Sequence, residues 1–257
     1  MSRIVAIANQ KGGVGKTTTS VNIAASMHAT HRKTLLVDLD PQGNATVGSG
    51  IDKNALKFSV FDVLMDESLN IRDAILGEVA GGYDLIAGNS DLTGAEIGLL
   101  EQSQRETRLK QAFKPILEDY EYIFIDCPPS LNMLTVNALV VADGLMIPTQ
   151  CEYYALEGLS ALLETMKKIK RVLNPELEID GVLRTMFDSR NNLAREVSGQ
   201  LMAHFGEKVY RTIIPRNVRL AEAPSHGIPV LIYDSSSAGS LAYLSLAGEM
   251  LRSKNNA

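Results

Sequence analysis

Seven short apolar runs recur along this chain of 257 residues, and none of them alternates polar with apolar. They are IVAIA (4–8), TLLVDLD (34–40), YDLIAG (83–88), YIFID (122–126), GLMIPT (144–149), GVLRTMF (181–187) and VYRTIIP (209–215). A strand with one wet face alternates with period two, whereas a strand covered on both faces is apolar throughout. Stretches of helical periodicity separate the runs, at 16–29, 94–118, 155–173, 192–205 and 238–252. This rhythm predicts an α/β fold: a doubly wound, mostly parallel sheet with helices on both faces. No linker and no internal repeat divides the sequence, so residues 1–257 are expected to form a single domain. The segment 41–82 mixes turn residues with weak periodicity and yields no clear element.

Composition narrows the class of protein. Cys127 and Cys151 are the two cysteines, without CxxC spacing, which predicts core thiols in a reducing compartment rather than a disulfide framework or a zinc site. His28, His31, His204 and His226 show no paired spacing suited to a metal. The first strand begins near Arg3, leaving no room for a signal peptide, and no run approaches the roughly 18 apolar residues that span a bilayer. These features predict a soluble, cytoplasmic protein. The net charge of −5 argues against a uniformly basic surface. Residues 1–150 carry 12 Lys or Arg against 18 Asp or Glu, and residues 151–257 carry 13 against 12, so a local basic patch is more compatible with the second part.

The chemistry is concentrated in NQKGGVGKTTT (9–19). Gly12, Gly13 and Gly15 follow a predicted strand and precede a predicted helix. Glycines let the backbone curl until its N–H groups point inward, and the helix adds its positive end, which makes an anion cradle. Lys16 would reach the β- and γ-phosphates of a nucleotide, and Thr17 would offer its hydroxyl to Mg²⁺. The loop departs from the usual GxxxxGK[ST] spelling at Gln10, and a second lysine, Lys11, follows at once. Two lysines cannot fill one place. If two copies face each other across their nucleotides, Lys11 could neutralise charge on the partner's phosphates.

Three aspartates accompany this loop. Asp38 and Asp40 lie two apart at the end of a predicted strand and should share a face, with Asp40 at the edge where ligands bind. Asp40 is placed to orient an attacking water, and Asp38 to support the metal or water network less directly. Asp126 closes YIFID in the manner of a magnesium-holding aspartate, and Pro128 and Pro129 stiffen the exit from that strand.

The loop resembles the deviant Walker A motif of the ParA/MinD class of ATPases. VDLDPQGNAT (37–46), FIDCPPSL (124–131), PTQCEYYALEGL (148–159) and IPRNVRLAEAPSHGIPV (214–230) resemble successive blocks of ParA/Soj-type chromosome partitioning ATPases. The resemblance implies a slow ATPase using ATP and Mg²⁺, with Lys11, Lys16 and Asp40 in catalysis. Nucleotide contacts would come from Lys11, Gly12, Gly13, Val14, Gly15, Lys16, Thr17 and Thr18. Adenine would lie by Met186, Phe187, Pro215 and Asn217, and Glu152 would reach a partner's ribose. Thr17, Asp40 and Asp126 would serve the metal. It further implies an ATP-dependent homodimer, non-specific double-stranded DNA bound through Arg190, Arg216 and Arg219, and a ParB-like centromere-binding partner. Arg195 and the run KKIKR (167–171) are further basic candidates.

Alternative readings are a MinD-like membrane-surface regulator and a P-loop enzyme acting on a metabolite. The first would need an amphipathic end helix. Leu241, Leu244 and Leu251 do form a stripe at helical spacing, but without a lysine-rich polar face, so it is expected to pack on the protein. The expected location is therefore cytoplasmic and nucleoid-associated, with no membrane.

Overall fold

The computed structural model describes residues 2–255. In chain order β1 (Arg3–Ile7) leads to α1 (Lys16–Ala29), β2 (Thr34–Asp38), α2 (Asn44–Gly48), α3 (Val60–Met65), β3 (Ile75–Leu76) and β4 (Asp84–Ile86). There follow α4 (Leu92–Gly98), α5 (Arg108–Phe113), β5 (Tyr122–Asp126), α6 (Met133–Val141), β6 (Gly144–Gln150) and α7 (Ala155–Val172). The chain closes with β7 (Glu178–Phe187), α8 (Asn192–Phe205), β8 (Val209–Pro215), α9 (Val218–Glu222), α10 (Val230–Tyr233) and α11 (Ala238–Asn255).

The strands form one eight-stranded sheet in the order β3-β4-β2-β5-β1-β6-β7-β8. Every neighbouring pair is parallel except β3 with β4. The order turns about β1, with β2 to β5 on one side and β6 to β8 on the other, and ligands of open α/β sheets settle at the carboxyl edge of such a point. Alternation along β1 feeds two cores. Ile4 and Ala6 pack beneath α3 to α8, while Val5 and Ile7 pack beneath α1, α10 and α11. Both faces are covered, which accounts for the unbroken apolar runs.

Several expectations need correction. The strand predicted over 34–40 stops at Asp38: Leu39 still gives its N–H to the Asp126 carbonyl on β5 (2.9 Å), but Asp40 turns its N–H back to Asp38 Oδ1 (3.3 Å). Asp40 consequently sits in a loop and does not share a strand face with Asp38. The helix predicted over 94–118 is broken into α4, α5 and short 3₁₀ turns, with Gln104 at φ 58° between them. No helix was expected at α6, whose sequence MLTVNALVV is apolar on all sides and so carries no periodicity, as suits a buried helix. α11 does pack on the sheet, through Tyr243, Leu246, Ala247 and Met250 with Leu251 of the expected stripe beside them, whereas Leu241 is exposed. No helix among the described residues is long and apolar enough to cross a membrane.

Leu246 is fully buried in the layer under α11. Leu246→Ala is expected to lower the unfolding free energy by about 3 kcal/mol, the usual cost of a large-to-small change in a packed core. Guanidinium unfolding followed by circular dichroism measures it, and a loss below about 1 kcal/mol would mean that α11 is not docked as described.

Candidate functional site

The loop after β1 is held open from two sides. Asn9 is buried and donates through Nδ2 to the Pro148 carbonyl on β6 (2.8 Å), while its Oδ1 accepts the Lys11 N–H (3.0 Å). On β7, the Thr185 hydroxyl donates to the Val14 carbonyl (2.8 Å). Gly13 and Gly15 have φ of 74° and 86°, a left-handed backbone that L side chains resist, and Gly15 is the N-cap from which α1 starts. A Cβ placed on Gly12 or Gly13 would meet nothing within 4 Å, so the loop faces open space. The backbone is curled into a cradle at a helix N-terminus, the geometry that receives phosphate oxygens. Val14 has its side chain buried and contributes backbone alone.

Lys16 is 7% exposed, and its Nζ lies 3.3 Å from the Lys11 carbonyl. Burial lowers its pKa, opposed by the charges of Asp126 and Asp40. At the ends of adjacent strands, Asp38 and Asp126 are paired in register and both are fully buried. Desolvation pushes both carboxyls up; the charge of Asp38 raises Asp126 further, and that of Asp40 raises both. Asp126 Oδ1 accepts the Ser20 hydroxyl (2.8 Å), and Oδ2 is buried without a hydrogen-bond partner. The Thr17 hydroxyl is close enough to this carboxyl to oppose the rise of its pKa. An orphaned buried carboxylate oxygen beside a hydroxyl suits a divalent cation carried on phosphate. Among the described residues no group of three or more His, Cys, Asp or Glu forms a metal cage, so such a cation would take most of its ligands from nucleotide and water.

Asp38 takes a different part from the one expected. Its Oδ2 accepts both the backbone N–H and the hydroxyl of Thr46 (2.7 Å each), and Oδ1 accepts the Asp40 N–H (3.3 Å). It is an anchor for the loop that carries Asp40. Asp40 is 8% exposed; Oδ1 accepts the Gln42 N–H (2.9 Å), and Oδ2 has no protein partner among the described residues.

A cleft of about 530 Å³ extends from Gly12, Gly13, Gly15, Lys16, Thr17 and Thr18 past Asp40 and Pro129 to Met186, Pro215, Arg216 and Asn217. Phe187 does not line it. Thr185 and Met186 both face the cleft because the left-handed backbone of Met186 (φ 46°) interrupts the alternation of β7, and Phe187 is thereby turned against the core under α3 to α8. Asn217 spends its Oδ1 on the N–H groups of Arg219 and Leu220 (3.0 and 3.3 Å), capping α9 and keeping its amide NH₂ for a ligand. Thr185, Leu220 and Tyr243 complete the wall and were not foreseen. Thr185 adjoins Met186 in a quoted run, but Leu220 and Tyr243 arrive only by packing, with the Tyr243 hydroxyl 3.1 Å from Thr19 Oγ1.

Lys11 and Glu152 lie outside the cleft lining and bind each other, Nζ to Oε2 at 2.6 Å. Arg190 and Arg216 follow the ends of β7 and β8, where the Arg216 N–H donates to the Phe187 carbonyl (3.2 Å), and Arg219 is on α9. Arg195 is on α8, exposed and bonded to Asn192. KKIKR lies elsewhere: Lys170 pairs with Glu178, the first residue of β7, at the opposite edge of the sheet (2.6 Å). Cys127 and Cys151 are buried and unpaired, as core thiols should be.

A family model described as an AAA domain matches residues 2–179. The sporulation initiation inhibitor protein Soj of Bacillus subtilis is 51% identical, covering 97% of this chain and 98% of that protein. The chromosome partitioning protein ParA of Caulobacter vibrioides is 49% identical, covering 97% and 94%. Among solved structures, a Mycobacterium smegmatis protein named cobyrinic acid a,c-diamide synthase, with an ATP analogue and magnesium bound, is 37% identical with a TM-score of 0.86, covering 99% and 96%.

The buried carboxylates make stability depend on pH. A carboxyl whose folded pKa is raised holds its proton longer in the folded than in the unfolded chain, so the ligand-free protein loses stability as pH rises from about 4 to about 8. Asp126→Asn cannot ionise at that position and should flatten this fall. Thermal melting across the window without nucleotide measures it, and identical slopes for both proteins would contradict the assignment.

Proposed function

The chain belongs to the ParA/Soj family of partitioning ATPases, and on that premise we propose that its 257 residues act as one ATPase domain in which Mg·ATP closes a homodimer able to hold DNA without sequence preference. Hydrolysis, quickened by a ParB-like partner, would release the DNA, and the protein would work in the cytoplasm on the nucleoid. The observation that carries this reading is the division of the two lysines: Lys16 is sunk beneath the loop, whereas Lys11 sits outside the cleft on Glu152. A lysine so placed is positioned for a nucleotide held by a second copy.

In this mechanism the N–H groups of the loop and the Lys16 ammonium hold the β- and γ-phosphates. Magnesium, when bound with ATP, offsets charge on those phosphates, with Thr17 and the open oxygen of Asp126 to hold it and Asp40 nearby. Asp40 orients the attacking water through Oδ2, its other oxygen being fixed by Gln42. Met186, Pro215 and the Asn217 amide receive the base. Lys11 leaves Glu152 to meet the partner's γ-phosphate. That pair is partly exposed and worth only about 0 to 1 kcal/mol, so exchange for a phosphate is favourable. Glu152 is then free to face the partner's ribose.

Two variants test the scheme. Asp40→Ala, loaded with ATP, should elute as a dimer and stay on DNA while hydrolysis falls about 100-fold, the scale of a lost proton-transfer or water-positioning group. Lys11→Ala should bind nucleotide but give no ATP-driven dimer. A monomeric, DNA-indifferent Asp40→Ala protein would refute the scheme. The name of the M. smegmatis protein raises a second reading, amidation of a metabolite; phosphate release from ATP without any small-molecule acceptor separates the two.

A further inference from the structure

The arginines beyond β7 and β8 are not equivalent. Arg216 has no ion pair among the described residues, but Arg219 is held on two sides. Its Nη1 donates to Glu222 Oε2 at 2.9 Å, and its Nε lies 3.3 Å from Asp234 Oδ2. The Tyr233 hydroxyl donates to the same Glu222 oxygen (3.2 Å), and the His226 ring stacks on Tyr233 with centroids 4.9 Å apart. Arg190 is treated alike, gripped by both oxygens of Asp188 at 3.0 and 2.8 Å.

The Arg219 fork also has a firm base. Tyr233 ends α10 and Asp234 is its C-cap, while the N–H of Val230, the first residue of α10, is bound by Asn22 Oδ1 (2.7 Å). Asn22 belongs to α1, and its Nδ2 donates to the carbonyl of Thr18 one turn earlier in the same helix (2.7 Å). The start of α10 is thereby fixed to α1, which steadies Tyr233 and Asp234 beside Arg219.

We propose that Glu222 and Asp234 form an acidic clamp that neutralises Arg219 within each copy and sets the threshold at which it engages a DNA phosphate. The proposal rests on the reading of Arg219 as a DNA contact. A phosphate approaching Arg219 meets two carboxylates first, so each copy alone is a poor polyanion binder. Exposed ion pairs are weak and screened by salt, so a backbone phosphate presented by a duplex spanning two copies can displace them. The clamp is a brake on affinity and leaves the nucleotide cleft untouched.

The test uses the full chain loaded with a non-hydrolysable ATP analogue and a random-sequence DNA duplex, titrated from about 50 to 200 mM salt. Glu222→Gln with Asp234→Asn keeps the shape of both side chains and should bind DNA about 10-fold more tightly at the low-salt end, with a steeper salt dependence. Affinity for the nucleotide should be unchanged, and the single variants should give intermediate gains. Adding Arg219→Ala to the pair should erase the gain. If the paired variant binds DNA as the parent does while Arg219→Ala alone loses binding, the clamp is overturned and the DNA reading survives. A gain that persists without Arg219 also overturns the clamp, since it would then be a general charge effect. If the parent binds no DNA at all, the clamp falls together with the reading beneath it.

Discussion

The phosphate loop depends on two buried hydrogen bonds to its neighbours, from Asn9 to the Pro148 carbonyl and from Thr185 to the Val14 carbonyl. They draw the loop across the carboxyl ends of β6 and β7 while the left-handed Gly13 and Gly15 turn it into α1. A glycine loop without such ties would sample many shapes and would spend binding energy on ordering. Pinned as it is, the loop offers a preformed ring of N–H groups and leaves one narrow place beneath it for a single ammonium, which Lys16 fills.

From that arrangement follows the separation of the two lysines. With the inner place taken, Lys11 is turned to the rim, where Glu152 is the carboxylate that receives it. Across the cleft, Asp38 uses both oxygens to tether the Asp40 loop, and Asp126 keeps one oxygen open. Under the proposed scheme each chain assembles the groups that bind a nucleotide and orient water, yet holds one cation in reserve outside. Arg190 and Arg216 follow the carboxyl ends of β7 and β8 and Arg219 is on α9, so in that scheme nucleotide, second copy and polyanion would meet on one side of the fold.

Much of this was legible in the sequence. β5 and β8 begin and end where their apolar runs do, as do α1 and α8 with their periodic stretches, because burial on both faces or on one stripe leaves a direct pattern. Segment 41–82 resisted reading since α2, α3 and β3 are too short to show a period; tertiary bonds such as those of Thr46 to Asp38 and to the Gly88 N–H order part of it. In the site, the cradle glycines and Lys16 stood out by type and spacing. Phe187 was misplaced because the left-handed turn at Met186 breaks the alternation of β7 and leaves no mark in the sequence, and Tyr243 was invisible because only packing of α11 on α1 brings it to the cleft. Asp188 and Glu222 lie two and three residues from Arg190 and Arg219, near enough to find, but charge pairing in loops has no periodic signature, and Asp234 reaches Arg219 only through the fold.

The central claim is that Lys11 serves a nucleotide held by another copy. The most direct measurement is a high-resolution structure of the Asp40→Ala variant with ATP and magnesium. The account predicts two copies face to face, with each Lys11 ammonium released from Glu152 and within about 3 Å of a γ-phosphate oxygen in the opposite cleft. Lys11 still on Glu152, or turned to the nucleotide of its own chain, in a well-ordered ATP complex would contradict it.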